Sequence, residues 1–429
     1  LLYGFYHPTF QEYFAAQAIP SPEVFLDPAQ GYPLFQDPWG EVLGLWLGRS
    51  DLDSIPKETL LQQLITFPDD CGGFYGCQAH CWGAIALAEF PQSQQAGTIL
   101  ETIVHWRFGQ DSPELLSRRQ GASVALLKTD RPLAIAALEK FLGTVSHPFS
   151  QWNGAYTLGK VLDPGNGVAV ATLTALLQEI RGTALIIKLC HSLIQVQPGH
   201  PGAIATLEHL LATPLPPPLQ RKAAYTLGKG APDHPRAIAA LAHLIQSSPP
   251  STALAHQAWA NLATLQPHHP LVLAASPPLP APILARKRRP SPQTLPLEIQ
   301  QQRLHQRLTQ ATHPAQRRRL AHRLGSLQPG HPAAVATLVE LLRSPQPPGL
   351  YRRLGEDLRQ VVVPEQLPGL VTQLRPLYQP PQPSPQPSST AAVRQFQTID
   401  NLLGHCAQAL PYGQFRTAWK AADPAPPIA

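Results

Sequence analysis

Apolar residues recur along much of this chain in a helical register, and the register itself repeats. Ile204, Leu207, Leu210 and Leu211 fall at i, i+3, i+6 and i+7, the single stripe of an amphipathic helix. The phrase that carries them, His200-Pro201 leading to Leu207, returns as His234-Pro235 leading to Leu241 and His331-Pro332 leading to Leu338. Diverged copies place Leu138 and Leu173 at the same point, so the leucines 138, 173, 207 and 241 are separated by 35, 34 and 34 residues. A second phrase, Ala-Tyr-Thr-Leu-Gly-Lys, occupies 155–160 and again 224–229, 69 residues on and therefore two repeat lengths away. Each repeat is predicted to be two short helices.

The residues around each stripe predict its ends. Pro201, Pro235 and Pro332 suit the first helical position, where no backbone donor is needed. Asn166, His200, His234 and His331 precede the helices at the N-cap, where Asn is the stronger cap. Gly228 and Gly325 are expected to end the second helix of their repeats. One such hairpin cannot bury its stripe, whereas stacked neighbours can, which predicts an all-α chain. The period also suits tetratricopeptide repeats, but their Trp, Gly-Tyr and late Pro signature is missing. An irregular HEAT-like α-solenoid with proline-rich linkers fits better. The expected segments are a terminal remnant (1–20), a helical region (21–110), repeats (111–275), a Pro/Arg-rich linker (276–299), a further repeat with helices (300–375), a Pro/Gln/Ser linker (376–390) and a C-terminal helical piece (391–429).

Composition sharpens this. Proline is 50 of 429 residues and charged residues are 14%, so the chain is loop-punctuated and acid-poor. With 27 Asp and Glu in all, a dense multi-carboxylate metal site is not expected. Methionine is absent and the chain starts at Leu1, which suggests a fragment. No apolar run approaches the ~20 residues of a membrane span and no signal peptide opens the chain. Five cysteines fit a reducing compartment, so a cytoplasmic protein without a membrane partner is expected. The net charge of +6 is uneven: between Arg286 and Arg323, ten Lys and Arg face only Glu298, a local +9 against −3 for the rest.

Both ends resemble a known family. Tyr3-Gly4-Phe5-Tyr6-His7-Pro8-Thr9-Phe10-Gln11-Glu12-Tyr13-Phe14-Ala15-Ala16 resembles the segment that closes the winged-helix part of NACHT NTPases, the group that includes NOD-like receptors. The stretches Trp39 to Arg49 and Asp70 to Tyr75, and the Leu-Gly-Lys and Asp-Pro-Gly-Asn of the repeats, look like bacterial NACHT proteins with HEAT-like tails. So do Asn401-Leu402-Leu403, Cys406-Ala407-Gln408 and Tyr412 to Trp419. The resemblance covers only the part downstream of the NTPase. It implies an upstream module switched by ATP or GTP with Mg, a repeat array as sensing or partner-binding arm, and, in bacterial cases, defence against phage. It also implies that His7 contacts the β-phosphate of ADP in a full-length parent. A phosphate-cradling loop needs Gly-x-x-x-x-Gly-Lys-[Ser/Thr]. Here Gly159-Lys160 is followed by Val161, and Gly228-Lys229 by Gly230. This chain is therefore expected to be no enzyme by itself and to hold no cofactor.

Other chemistry has weaker footing. Cys71, Cys77, His80 and Cys81 could in number ligate zinc, but their spacing lacks a Cys-x-x-Cys half, and Cys77 and Cys81 at i, i+4 suit a helix core better. Histidines at successive repeat turns lie ~10 Å apart, too far to share an ion. There is no Gly-x-Ser-x-Gly elbow, and the adjacent acids Asp69-Asp70 and Glu356-Asp357 read as solvated faces. No catalytic or metal residues are expected. The interaction candidates are cations: Arg221, Lys222, Arg286, Lys287, Arg288, Arg289, Arg317, Arg318, Arg319 and Arg323. They suit an acidic protein partner, a nucleic acid, or a plain solvated face. An autonomous scaffold binding either partner through a basic edge is the alternative to a sensing arm.

Overall fold

The structure, a computed structural model, describes residues 7–36, 39–109, 115–249, 252–274, 296–379 and 390–422. Among these residues every regular element is helical and no strand occurs. The chain divides into two compact units, residues 1–137 with 294–429, and residues 138–293. The first unit holds α1 (Pro8–Ala18), α2 (Trp39–Leu47), α3 (Ser54–Ile65), α4 (Phe74–Ala86), α5 (Ala96–Phe108) and α6 (Leu115–Lys128). Helix α7 (Arg131–Thr144) crosses the division. The second unit continues with α8 (Pro148–Thr157), α9 (Gly167–Glu179), α10 (Thr183–Val196), α11 (Pro201–Ala212), α12 (Pro217–Gly230), α13 (Pro235–Ser247), α14 (Ala253–Leu265) and the short α15 (Pro270–Ala274). Returning to the first unit, the chain forms α16 (Leu297–Gln310), α17 (Pro314–Leu327), α18 (Pro332–Arg343), α19 (Pro348–Val361), α20 (Leu367–Leu374), α21 (Thr390–Ala409) and α22 (Tyr412–Lys420). Contacts thus group residues 300–375 and the C-terminal piece with the start of the chain rather than with the neighbouring repeats. Most of 276–299 and 376–390 lies outside the described residues.

The repeat signals build the second unit. Pro201 and Pro235 open α11 and α13, and Pro332 opens α18 in the first unit. The marker leucines Leu138, Leu173, Leu207 and Leu241 are fully buried, each contributing about 1.5–3 kcal/mol by leaving water. Asn166 caps α9, its Oδ1 accepting from the backbone of Val168 and Ala169 at 3.0 and 3.1 Å. His200 caps α11 through Nδ1, which accepts from Ala203 N at 3.3 Å, but His234 and His331 make no side-chain cap. His234 instead turns its Nε2 to Glu208, 2.8 Å away. The same backward reach links Asn166 to Glu139 and His200 to Thr174. The residue after Leu138, Leu173 and Leu207 therefore meets the cap residue of the next repeat, joining neighbouring hairpins.

The second helices α8, α10, α12 and α14 contact one another in sequence and form one layer of this unit. Glycine permits their close approach. A Cβ on Gly159 would stand 2.5 Å from Val196, and one on Gly228 only 2.3 Å from Leu265. Gly228 does not end its helix as its position suggested, because α12 runs on to Gly230; nor does Gly325 end α17, which runs to Leu327. A Cβ on Gly325 would likewise stand 2.3 Å from Val361. In the pairs Leu158-Gly159, Leu227-Gly228 and Leu324-Gly325 the glycine is a seat for an apolar side chain at the end of the following second helix.

Candidate functional site

The C-terminal helices of the first unit are built into its N-terminal half. The turn before α4 begins this join. Asp69 accepts from the backbone N–H groups of Cys71, Tyr75 and Gly76 at 2.6, 2.6 and 2.9 Å, so one carboxylate satisfies three otherwise unpaired donors. Its neighbour Asp70 points to α22, where Arg416 grips both oxygens at 3.0 and 3.1 Å and Lys420 Nζ lies at 2.5 Å. Arg416, and then Lys420, hold the Asp70 carboxyl well below the usual carboxylate range. These acids are thus occupied by a helix end and by two cations, which accounts for the Asp69, Asp70 and Cys71 cluster without an ion.

Behind the ion pairs stands an aromatic core. Tyr412, buried to 2% exposure, has ring centroids of Tyr75 at 4.7 Å, Tyr32 at 4.8 Å, Phe67 at 5.5 Å and Phe35 at 5.6 Å around it. Tyr75 donates its hydroxyl to the Leu410 carbonyl at 2.7 Å. Hence residues more than 330 positions apart share one desolvated cluster, and α21 packs on α4 and α6.

Where α4, α6 and α21 meet, a cavity of about 260 Å³ opens. Cys77, Cys81 and Trp82 line one wall, Val124 faces them, and Arg118 and Lys128 supply its cations. Gly121 leaves room for Cys81, whose sulfur would lie 3.3 Å from a Cβ there. The cavity is suited by its lining to an apolar group. The four possible zinc ligands do not converge: Cys71 donates to Asp70, His80 is spent on the Ile99 carbonyl, and only Cys77 and Cys81 share the cavity wall. On α21, burial pushes the Cys406 thiol up to about 12, a protonated and unreactive state. Its neighbour His405 lines a separate polar cavity of about 120 Å³ with Arg359 and Asn401.

His80 gives this unit an acid limit. It is buried, its Nε2 lies 3.1 Å from the Ile99 carbonyl and its ring packs on Trp106, so burial lowers its pKa. A folded value below the unfolded ~6.5 means that stability is complete above that pH and is lost as pH falls towards the folded value. Between about pH 7.5 and 5.5, the melting temperature of the wild type should therefore drop more than that of His80→Gln. Parallel drops would assign the acid sensitivity to other groups.

The expected interaction residues are scattered in their surroundings. His7 is exposed at the N-cap of α1, accepting from Thr9 N at 3.3 Å. Arg286, Lys287, Arg288 and Arg289 lie outside the described residues. Arg317 pairs with Glu340 at 2.6 Å and Arg318 with the buried Asp357 at 2.8 Å, so acids 23 and 39 residues further on match half of what looked like a bare basic run. Arg319 donates to the Ala315 carbonyl, and Arg323 is exposed. In the second unit Lys222 is exposed, while Arg221 is half-buried with Nη1 2.8 Å from the Asn261 amide oxygen once that amide is turned to accept. Sequence reading missed the clamp at Asp70, although the Arg416 and Lys420 pair at i, i+4 is a visible signal for an anionic partner.

Residues 392–420, spanning most of α21 and α22, match the family described as NACHT C-terminal Cysteine and Histidine-containing. No curated protein and no solved structure matches the chain.

Proposed function

We propose that the chain, whose residues 392–420 match a NACHT-associated C-terminal family, is the sensing and partner-binding arm of a NACHT-type signal-transduction NTPase. One observation carries this reading: the NACHT-associated helices are integral to the first unit, clamped at Asp70 and Tyr412 to helices that precede the repeats. Recognition would use the surfaces of stacked helix pairs, which present side chains from several repeats at once, and no catalytic pocket. Nucleotide, ATP or GTP with Mg, would be bound and hydrolysed by an upstream module, with His7 reaching it from the start of α1. A cytoplasmic setting and defence against phage in bacteria belong to the same reading.

Titration of this chain with ATP or GTP and Mg should give no saturable binding up to about 1 mM. The coding sequence upstream of Leu1 should contain a P-loop. Hydrolysis by the chain alone, or an intact gene without that loop, would overturn the proposal in favour of an autonomous HEAT-repeat scaffold.

A further inference from the structure

The repeat phase carries chemistry that the helical packing does not require. Counting 18 residues on from each marker leucine gives Tyr156, His191, Tyr225 and Trp259, one ring per repeat on α8, α10, α12 and α14. Tyr156, His191 and Tyr225 are half-buried or exposed, on the side of each helix away from its buried stripe, whereas Trp259 shares the face of the buried Ala255 and Leu262 and its Nε1 is buried. One helical turn away stand Lys160, Lys188, Lys222 and Lys229, all exposed and none paired with a carboxylate among the described residues. Lys229 Nζ sits 5.7 Å from the Tyr225 ring centroid. The four second helices contain neither Asp nor Glu; the acids of the described part of this unit, Glu139, Asp163, Glu179, Glu208 and Asp233, are on first helices or turns.

We propose that this second-helix layer binds a single-stranded polynucleotide, with Tyr156, His191 and Tyr225 stacking on bases and the intervening lysines neutralising phosphates. Neighbouring helices at ~8–10 Å set one ring per repeat along a continuous path. Every base presents a π-face, so such a row grips a strand without reading its sequence. Duplexes hide those faces and offer only phosphates. An acidic peptide would use the lysines but leave the repeated rings without a role. The inference deepens the reading of the chain as a recognition arm by naming the class of molecule recognised.

Fluorescence anisotropy of the whole chain with labelled RNA and DNA strands of about 12 nucleotides tests it, against duplex DNA of equal length. Single strands should bind at least about 10-fold more tightly than the duplex, and each neutralised phosphate should add about −0.7 to the slope of log K against log salt. The arm that binds better, RNA or DNA, identifies the sugar. Tyr225→Ala should weaken binding about 5-fold or more. The surface variant Lys188→Gln/Lys222→Gln/Lys229→Gln, at three exposed positions, should lower the affinity and flatten the salt slope. Unchanged binding by that variant, equal binding of duplex and single strand, or full competition by polyglutamate would overturn the proposal. None of these outcomes bears on the P-loop upstream or on nucleotide binding, so the arm reading is judged separately.

Discussion

Tyr412→Ala should cost the first unit about 3–5 kcal/mol, the range for removing a large aromatic from a packed core. Four rings lie within 6 Å of Tyr412, so its removal strips contacts from all of them. At roughly 2–4 °C per kcal/mol for a unit of this size, the melting temperature should fall by about 10 °C. Tyr412→Phe keeps the ring and gives up only a hydroxyl donated to Asp70 at 3.4 Å, so its cost should stay within about 1 kcal/mol. Hydrogen exchange should show the loss on α4 and α22 together, because the cluster joins them. Loosening confined to α22 would mean that the C-terminal region is an appendage after all.

Gly228→Val should also destabilise, here in the second unit. A valine gains about 0.5 kcal/mol of helix propensity over glycine. It loses about 1–3 kcal/mol by overpacking against Leu265, whose Cδ1 lies 2.3 Å from the new Cβ, so the steric term wins. Combining Gly228→Val with Leu265→Ala should recover part of the loss, a coupling of about 1 kcal/mol or more in a double-mutant cycle. Gly143→Ala, in a helix but facing open space, should be neutral or stabilising. Chemical denaturation measures all four. Additive effects at 228 and 265 would show that the two positions do not share one seat.

The site was partly legible beforehand. The rings at 156 and 225 stand inside the repeated Ala-Tyr-Thr-Leu-Gly-Lys phrase, and extending its phase by one repeat finds His191. The denser arginines of 317–323 are the stronger charge signal in the sequence and mask that phase. Their density misled because charge is read residue by residue, whereas Glu340 and Asp357 reach Arg317 and Arg318 from other helices. Proline starts and buried leucines were predicted correctly because both depend on neighbours within one turn or one repeat.

By itself the sequence determined the helices, their period and the stripe each must hide, since helix formation and amphipathic spacing are local properties. It also determined that α8, α10, α12 and α14 carry no acids. Only the tertiary structure decided that Gly228 is a seat rather than a helix end, because the side chain it accommodates lies 37 residues further on. Only it decided that Asp70 and Tyr75 meet Tyr412 and Arg416. Contacts across such separations arise from the packing of whole helices, and a desolvated ring or a paired carboxylate leaves no periodic trace in the chain that supplies it.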